Sequence, residues 1–316
     1  MSTMRDAFIE ELHSRMREDE SIFFLSADFG SPRLDSIRKD FGGRFLNVGI
    51  AEQNLVNVST GLALEGFTVY AYAIAPFLTM RAYEQIRINL ALQSQLKELN
   101  VNLVGVGAGM SYDVSGPTHH CLEDLSIMRT LPNIVVFSPS DTNLTRRFVD
   151  YSIKVKAPKY LRFDGKALPE IYTDAQSVRI EDGFFEVRKG GEICLVSTGY
   201  MTHKAIRAAK LLYEEGIEAG VLDIFLLKPV DADSLYGALR DYRHIVTLEE
   251  GFTGKGGLDS VISCVLEERG FNGGIKRMGL GDEYMFDIGS REYLHKSAGL
   301  SEEDIIRNIK TILKVA

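Results

Sequence analysis

Glu52, in the stretch "GIAEQN" (49–54), is a lone carboxylate at the head of a run, 53–64, that carries no charged side chain. At a helix N-terminus such a group meets unpaired backbone N–H groups and the positive end of the helix dipole, which favours its charged form. Burial opposes that charge. An acid in a first turn often does no more than stabilise its own helix. Here the residues that follow on its face, Val56, Ser59 and Ala63, are small or apolar. The carboxylate is therefore expected to point at a cavity or a ligand.

A second group lies in "SGPTHHCLEDL" (115–125). Gly116-Pro117 marks a tight turn, and His119, His120 and a predicted helix follow. Adjacent histidines in a loop point in different directions, so they form no metal pair by spacing, and the chain has no HExxH motif. Imidazole is the side chain readiest to exchange a proton near neutral pH. The competing reading is one packed and one solvated histidine. Phe77, Met80 and Tyr83 have the i, i+3, i+6 spacing of core residues. Their stretch directly follows a strand, however, and ligands of open α/β sheets bind beyond the C-terminal ends of strands. Arg162, ending another strand, reads either as a surface ion pair with Asp164 or as a phosphate or carboxylate clamp. The glycines of "GVGAGM" (105–110) and "GFTGKGG" (251–257) miss the dinucleotide and P-loop spacings. They read as glycines that serve backbone turns.

These residues need a frame. Short β-branched or aromatic runs at 22–27, 68–73, 101–107, 134–139 and 159–163 alternate with helical patterns at 4–17, 52–65, 79–95 and 141–155. Such alternation implies βαβ units whose strands are buried on both faces. Residues 164–191 are polar and turn-rich. A second series follows, with strands predicted at 193–198, 219–224 and 244–250 and helices at 202–215, 231–240, 257–269 and 302–314. The expected fold is α/β with two domains, each a mostly parallel sheet flanked by helices. The first domain is placed at 1–168, a linker at 169–191 and the second domain at 192–316.

Basic (36) and acidic (44) residues are interspersed and give a net charge of −8, which argues against nucleic acid and an anionic membrane as partners. No uncharged apolar run reaches the roughly 20 residues of a membrane span. The first residues are charged and helical in pattern, unlike a signal peptide. Cys121, Cys194 and Cys264 lie far apart without a CxxC, as expected of reduced thiols in a cytoplasmic protein.

In combination and order, these motifs resemble the C-terminal half of thiamine-diphosphate enzymes of the transketolase family. "FLNVGIAEQN" is similar to the family's glutamate motif, "YAIAPFLTMRAYEQI" to its aromatic pyrimidine-pocket segment, and "SGPTHHCLEDL" with "PNIVVFSPSD" to its G-P-T-H turn and the stretch after it. Residues 193–231 are similar to the family's C-terminal domain. The resemblance covers nearly the whole chain. It implies a pyrimidine-binding domain followed by a transketolase C-terminal domain. It also implies that Glu52 hydrogen-bonds the aminopyrimidine of thiamine diphosphate and drives it toward its imino form, that Phe77 or Met80 stacks on that ring, and that Tyr83 lines the pocket. His119 is the implied substrate-contacting and catalytic histidine. His120 stands where transketolases often have Gln. Arg162 is the implied grip on a sugar phosphate. Asp28 and Arg5 match positions near the cofactor and the substrate phosphate.

Two departures bear on the substrate: an expected Asp before the G-P-T-H turn is Ser115, and an expected upstream histidine is absent near Gly107. A third concerns assembly. The family holds the diphosphate with a GDG motif, a downstream Asn and Mg²⁺; this chain has no GDG. The resemblance thus implies one subunit of a split transketolase that transfers a two-carbon ketol unit between sugar phosphates. A separate N-terminal subunit would hold the diphosphate and Mg²⁺, in an α₂β₂ heterotetramer. The competing readings are the β subunit of a 2-oxo-acid dehydrogenase E1, a 1-deoxyxylulose-5-phosphate-synthase-like enzyme and a non-catalytic regulatory subunit.

Overall fold

The computed structural model describes residues 2–173 and 178–314. Residues 174–177, inside the expected linker, lie outside the described residues. The first series gives strands β1 (Ile22–Ser26), β2 (Phe45–Asn47), β3 (Thr68–Ile74), β4 (Asn100–Val106), β5 (Val135–Phe137) and β6 (Lys159–Phe163). Its helices are α1 (Met4–Glu18), α2 (Leu34–Asp40), α3 (Glu52–Leu64), the short α4 (Tyr83–Gln85), α5 (Asp124–Thr130) and α6 (Thr142–Lys154). The second series gives β7 (Phe184–Arg188), β8 (Ile193–Ser197), β9 (Ala219–Ile224), β10 (Leu226–Lys228), β11 (His244–Phe252) and β12 (Gly274–Leu280). Its helices are α7 (Tyr200–Glu214), α8 (Ala232–Leu239), α9 (Leu258–Glu268), α10 (Arg291–Ser297) and α11 (Glu302–Leu313).

Two sheets result. The seven-stranded sheet runs β10-β5-β6-β4-β3-β1-β2 and the five-stranded sheet β12-β11-β8-β9-β7. All pairs are parallel except the two edges, β10 on β5 and β7 on β9. Every residue of β4 and β9 is buried, as strands covered on both faces must be. The mostly parallel two-sheet α/β architecture agrees with the sequence reading. The short α2, β2, β10 and α10 and the polar, glycine-bounded β12 carry too little periodicity to have been predicted.

Strand pairing and core packing both join the halves. β10, from the second series, is the edge strand of the first sheet. In the other direction Met110 and Leu122, from the first series, pack with Leu195, Met201, Leu248 and Leu294 in the core of the second. The local start signals are ordinary. Thr3 caps α1, Asp141 caps α6, and Ser301 with Asp304 forms a capping box on α11. α3 has no side-chain cap at Ala51. Its entry is instead shaped by Gly49 at φ +77° and by Asn47, whose side-chain oxygen accepts from the backbone N–H groups of Asp28 and Gly49.

Candidate active site

Glu52 opens α3 and is 3% exposed, on the face that also buries Leu55, Val56, Ser59 and Ala63. Its Oε2 accepts a hydrogen bond from Arg81 Nη1 at 2.7 Å, while Oε1 has no hydrogen bond among the described residues. Arg81 arrives from the segment after β3. This segment turns helical at Ala75, four residues earlier than the predicted helix, and winds as a π-helix over Phe77–Arg81 and again over Ile86–Leu92. The wider i→i+5 turn changes which side chains share a face. The Arg81 guanidinium lies over the Phe77 ring, 4.8 Å from its centroid, and Met80 is turned outward at 41% exposure. The α-helical spacing that grouped Phe77, Met80 and Tyr83 therefore does not hold. Tyr83 faces α5, with its hydroxyl donating to the Ile127 carbonyl at 2.9 Å and 2.9 Å from Thr130 Oγ1.

The loop between β4 and α5 carries the histidines. Gly107, at φ +105°, lets the Tyr112 ring lie where a Cβ would come within 2.3 Å of it. Gly109, at φ +55°, leaves room for the Glu250 carboxylate. These glycines serve close packing, as their failed fingerprint implied. His119 is half-buried. Its ring meets Phe77 edge-on at 5.2 Å and Tyr112 at 6.5 Å, and its Nδ1 is 3.1 Å from Thr118 Oγ1. His120 points the other way, into the protein, and neither ring nitrogen has a hydrogen-bond partner among the described residues. Burial lowers its pKa, against the backbone of Asp113 and the nearby Glu250 charge. Burial raises the Tyr112 pKa, opposed by the nearby Arg5 guanidinium. Arg5, Tyr112, His119, Phe77, Arg81 and Glu52 thus form one line of neighbours along the C-terminal edge of the first sheet, where open α/β sheets place ligands.

Other predicted residues stand apart from this line. Asp28, at φ +53° after β1, is exposed and bonded to the Asn47 amide. Ser115 is exposed at the end of the loop's single 3₁₀ turn. Arg162 requires a correction. It forms no surface pair with Asp164. It is 4% exposed, with Nε donating to Asp124 at 2.7 Å and Nη2 to the carbonyls of Cys121 and Glu250. A guanidinium buried against a carboxylate is spent on holding the fold. The sequence signal for its partner was Asp124 in "CLEDL", an acid on the buried face of a helix. Arg81 and Tyr112 were also not singled out; the signal for Arg81 was its place as the basic residue of the turn that Phe77 opens.

The structure thus sets a buried carboxylate at a helix mouth, linked through Arg81 to an aromatic ring and an imidazole at a sheet edge. Residues 1–170 match the family model described as "Transketolase, pyrimidine binding domain", and residues 185–305 match "Transketolase, C-terminal domain". The chain belongs to the transketolase family. It is 37% identical over 305 residues to an apulose-4-phosphate transketolase subunit of Actinobacillus succinogenes, covering 96% of each chain. It is 33% identical over 285 residues to 1-deoxy-D-xylulose-5-phosphate synthase of Syntrophus aciditrophicus, covering 89% of this chain and 42% of that one. A solved structure described as a split gene transketolase, inactive beta4 tetramer, superposes with a TM-score of 0.88 at 33% identity, covering 100% of this chain and 99% of that one.

The site fits one end of thiamine diphosphate, the family's cofactor. The free Glu52 Oε1 suits a ring N–H, and the Phe77 face suits a flat heterocycle. Among the described residues no cluster of three or more His, Cys, Asp or Glu is placed to hold a metal ion. Among those residues, too, no helix is long and apolar enough to cross a membrane.

Proposed function

We propose that this chain is the pyrimidine-binding subunit of a thiamine-diphosphate-dependent transketolase, which moves a two-carbon ketol unit between sugar phosphates. The observation that carries the reading is the buried Glu52 carboxylate, with one oxygen on Arg81 and the other unbonded, beside Phe77 and His119. Thiamine diphosphate, when bound, supplies a nucleophilic thiazolium carbon and an electron sink. Glu52 would accept a hydrogen bond from the pyrimidine and hold its tautomer, with Phe77 rather than Met80 against the ring face. His119 would exchange a proton with a substrate hydroxyl, and Arg5 would attract a terminal phosphate.

A second subunit would bring the GDG motif, hold the diphosphate and Mg²⁺, and complete an α₂β₂ heterotetramer. The naming of relatives as subunits supports this, as does the exposed apolar rim of the site, with Ile50 and Met80 beside Glu52 and Val114 and Ile288 beside the histidine turn. The test is to mix the chain with a GDG-bearing subunit and assay ketol transfer. Activity is expected in the mixture and is lost about 100-fold or more in Glu52→Gln. Full activity in Glu52→Gln would refute the mechanism. The similarity to 1-deoxyxylulose-5-phosphate synthases supports one alternative. In that case the mixture would decarboxylate a 2-oxo acid and transfer no ketol.

A further inference from the structure

The loop that carries His119 is held from both sides by the other domain. Met110 and Leu122, which flank the histidines in sequence, sit in the core of the second domain. The antiparallel bridge between Gly109 and Cys121 closes the loop's base. At its tip, the buried Asp113 accepts from the backbone N–H of Arg291 at 2.8 Å, and the same oxygen pairs with Lys166. Ile288, just before α10, lies against Gly116 of the turn. Arg291 itself is 5% exposed and bridges the two domains. Its Nε and Nη2 donate to Glu250 on β11 at 2.7 and 2.5 Å, and its Nη1 donates to Asp164 beyond β6 at 2.6 Å. Its guanidinium lies 3.7 Å from the centroid of the Tyr200 ring. Glu250 in turn occupies the space that Gly109 leaves open.

We infer that Arg291 is a positioning residue for His119: the second domain sets the histidine loop through Arg291, Glu250 and Asp113. Near its tip the loop is tied to this frame through Asp113 and Gly116, and to the first domain by the Ser111 bond to Gly165 and the Lys166 pair with Asp113. A guanidinium with two carboxylates and a ring face has one geometry available, so its backbone N–H and the adjoining Ile288 are fixed with it. A displacement there passes to Asp113, six residues before His119, and to Gly116, three before it. The Phe77 ring that meets His119 edge-on comes from a separate segment, the one after β3. Loosening Arg291 therefore moves the imidazole relative to its neighbours, while Glu52 and Arg81 stay in place.

Two measurements test this. In the full chain alone, the Phe77 and Tyr112 rings beside His119 are expected to displace its Cε1–H resonance. It is expected to shift toward that of a solvated histidine in Arg291→Lys and in Asp113→Ala, while His13 and His244 do not move. Asp113→Ala leaves the buried guanidinium and its carboxylates intact, and Lys166→Ala, which removes only the other partner of Asp113, is expected to leave the resonance in place; together they read the anchor even where Arg291→Lys fails to fold. In the complex with the diphosphate-binding subunit, Arg291→Lys is expected to lower kcat/KM for a ketose phosphate about 10- to 100-fold. In a His119→Ala background the same change is expected to cost less than about threefold, because the two residues act as a unit. An unmoved His119 resonance, or equal losses in both backgrounds, overturns the inference. The second measurement rests on the transketolase reading: a wild-type complex without ketol transfer refutes that reading, while the resonance still decides the anchor.

Discussion

Arg81 Nη1 and Glu52 Oε2 are 2.7 Å apart, although the carboxylate is buried and the guanidinium is 48% exposed. The two residues come from different elements, the head of α3 and the π-wound segment after β3. The pair therefore fixes the direction of the carboxylate without filling the space in front of it. A half-solvated cation gives little net stability as an ion pair, so its larger effect is on where Glu52 points.

Arg81→Met should accordingly lower kcat/KM of the complex about 10- to 100-fold, as a loosened reacting group does. Arg81→Lys should recover part of it, since lysine restores charge but not the guanidinium's face on Phe77. Steady-state kinetics with both variants decide this. Wild-type kcat/KM in Arg81→Met would mean that Glu52 is oriented by its helix alone.

The two candidate stacking residues separate cleanly. Phe77 touches both Arg81 and His119, whereas Met80 faces outward. Phe77→Ala should weaken cofactor binding and lower activity by at least tenfold, a loss consistent with an aromatic contact worth ~0.5–1.5 kcal/mol beyond its buried area. Met80→Ala should change cofactor affinity less than about twofold, with any defect appearing in subunit association. Titration of the mixed subunits with thiamine diphosphate, followed by activity, separates the two. The reverse order of effects would restore the α-helical spacing reading.

What the sequence made legible follows from how each signal arises. The alternation of apolar runs and helical patterns is a property of contiguous residues, so the two parallel sheets and most of their helices could be read directly. Glu52 stood out because a lone charge heads an uncharged run. The partner of Arg162 was hidden for a physical reason: an arginine at a strand end looks alike whether it meets solvent or a buried acid from another helix, and Asp124 lies 38 positions away. The i, i+3, i+6 grouping of Phe77, Met80 and Tyr83 does not carry over because a π-helix turns side chains through an angle that such spacing does not anticipate. β10 was hidden because three residues that cross to the other sheet leave no period to detect.

The corrected place of Arg162 carries its own expectation. Arg162→Met removes the cation from Asp124, leaving that buried carboxylate with the Tyr160 hydroxyl, 2.6 Å away, as its bonded partner. Breaking one side of a buried pair costs ~3–5 kcal/mol. Urea denaturation of the chain should show a loss of this order. A variant as stable as wild type but with a raised KM for sugar phosphate would return Arg162 to the substrate.

Glu249 gives a pH dependence of defined sign. It is fully buried at the end of β11, and its carboxylate accepts from the backbone N–H groups of Leu258 and Asp259 at 2.9 Å each, at the head of α9. Burial pushes it from the ordinary 4.5 up to about 7, with those two amides pulling the other way. A carboxyl whose folded-state pKa is raised binds its proton more tightly when folded. Its contribution to stability is complete below about pH 4.5 and is lost as pH rises to about 7. Glu249→Gln keeps a neutral acceptor for the helix and removes this titration. The stability of wild type relative to Glu249→Gln should therefore fall between pH 4.5 and 7, by a few kcal/mol at most, and level off above. Chemical denaturation of both proteins across pH 4.5–8 measures the difference. Parallel curves would mean that Glu249 keeps its charge throughout, held by the N-terminus of α9.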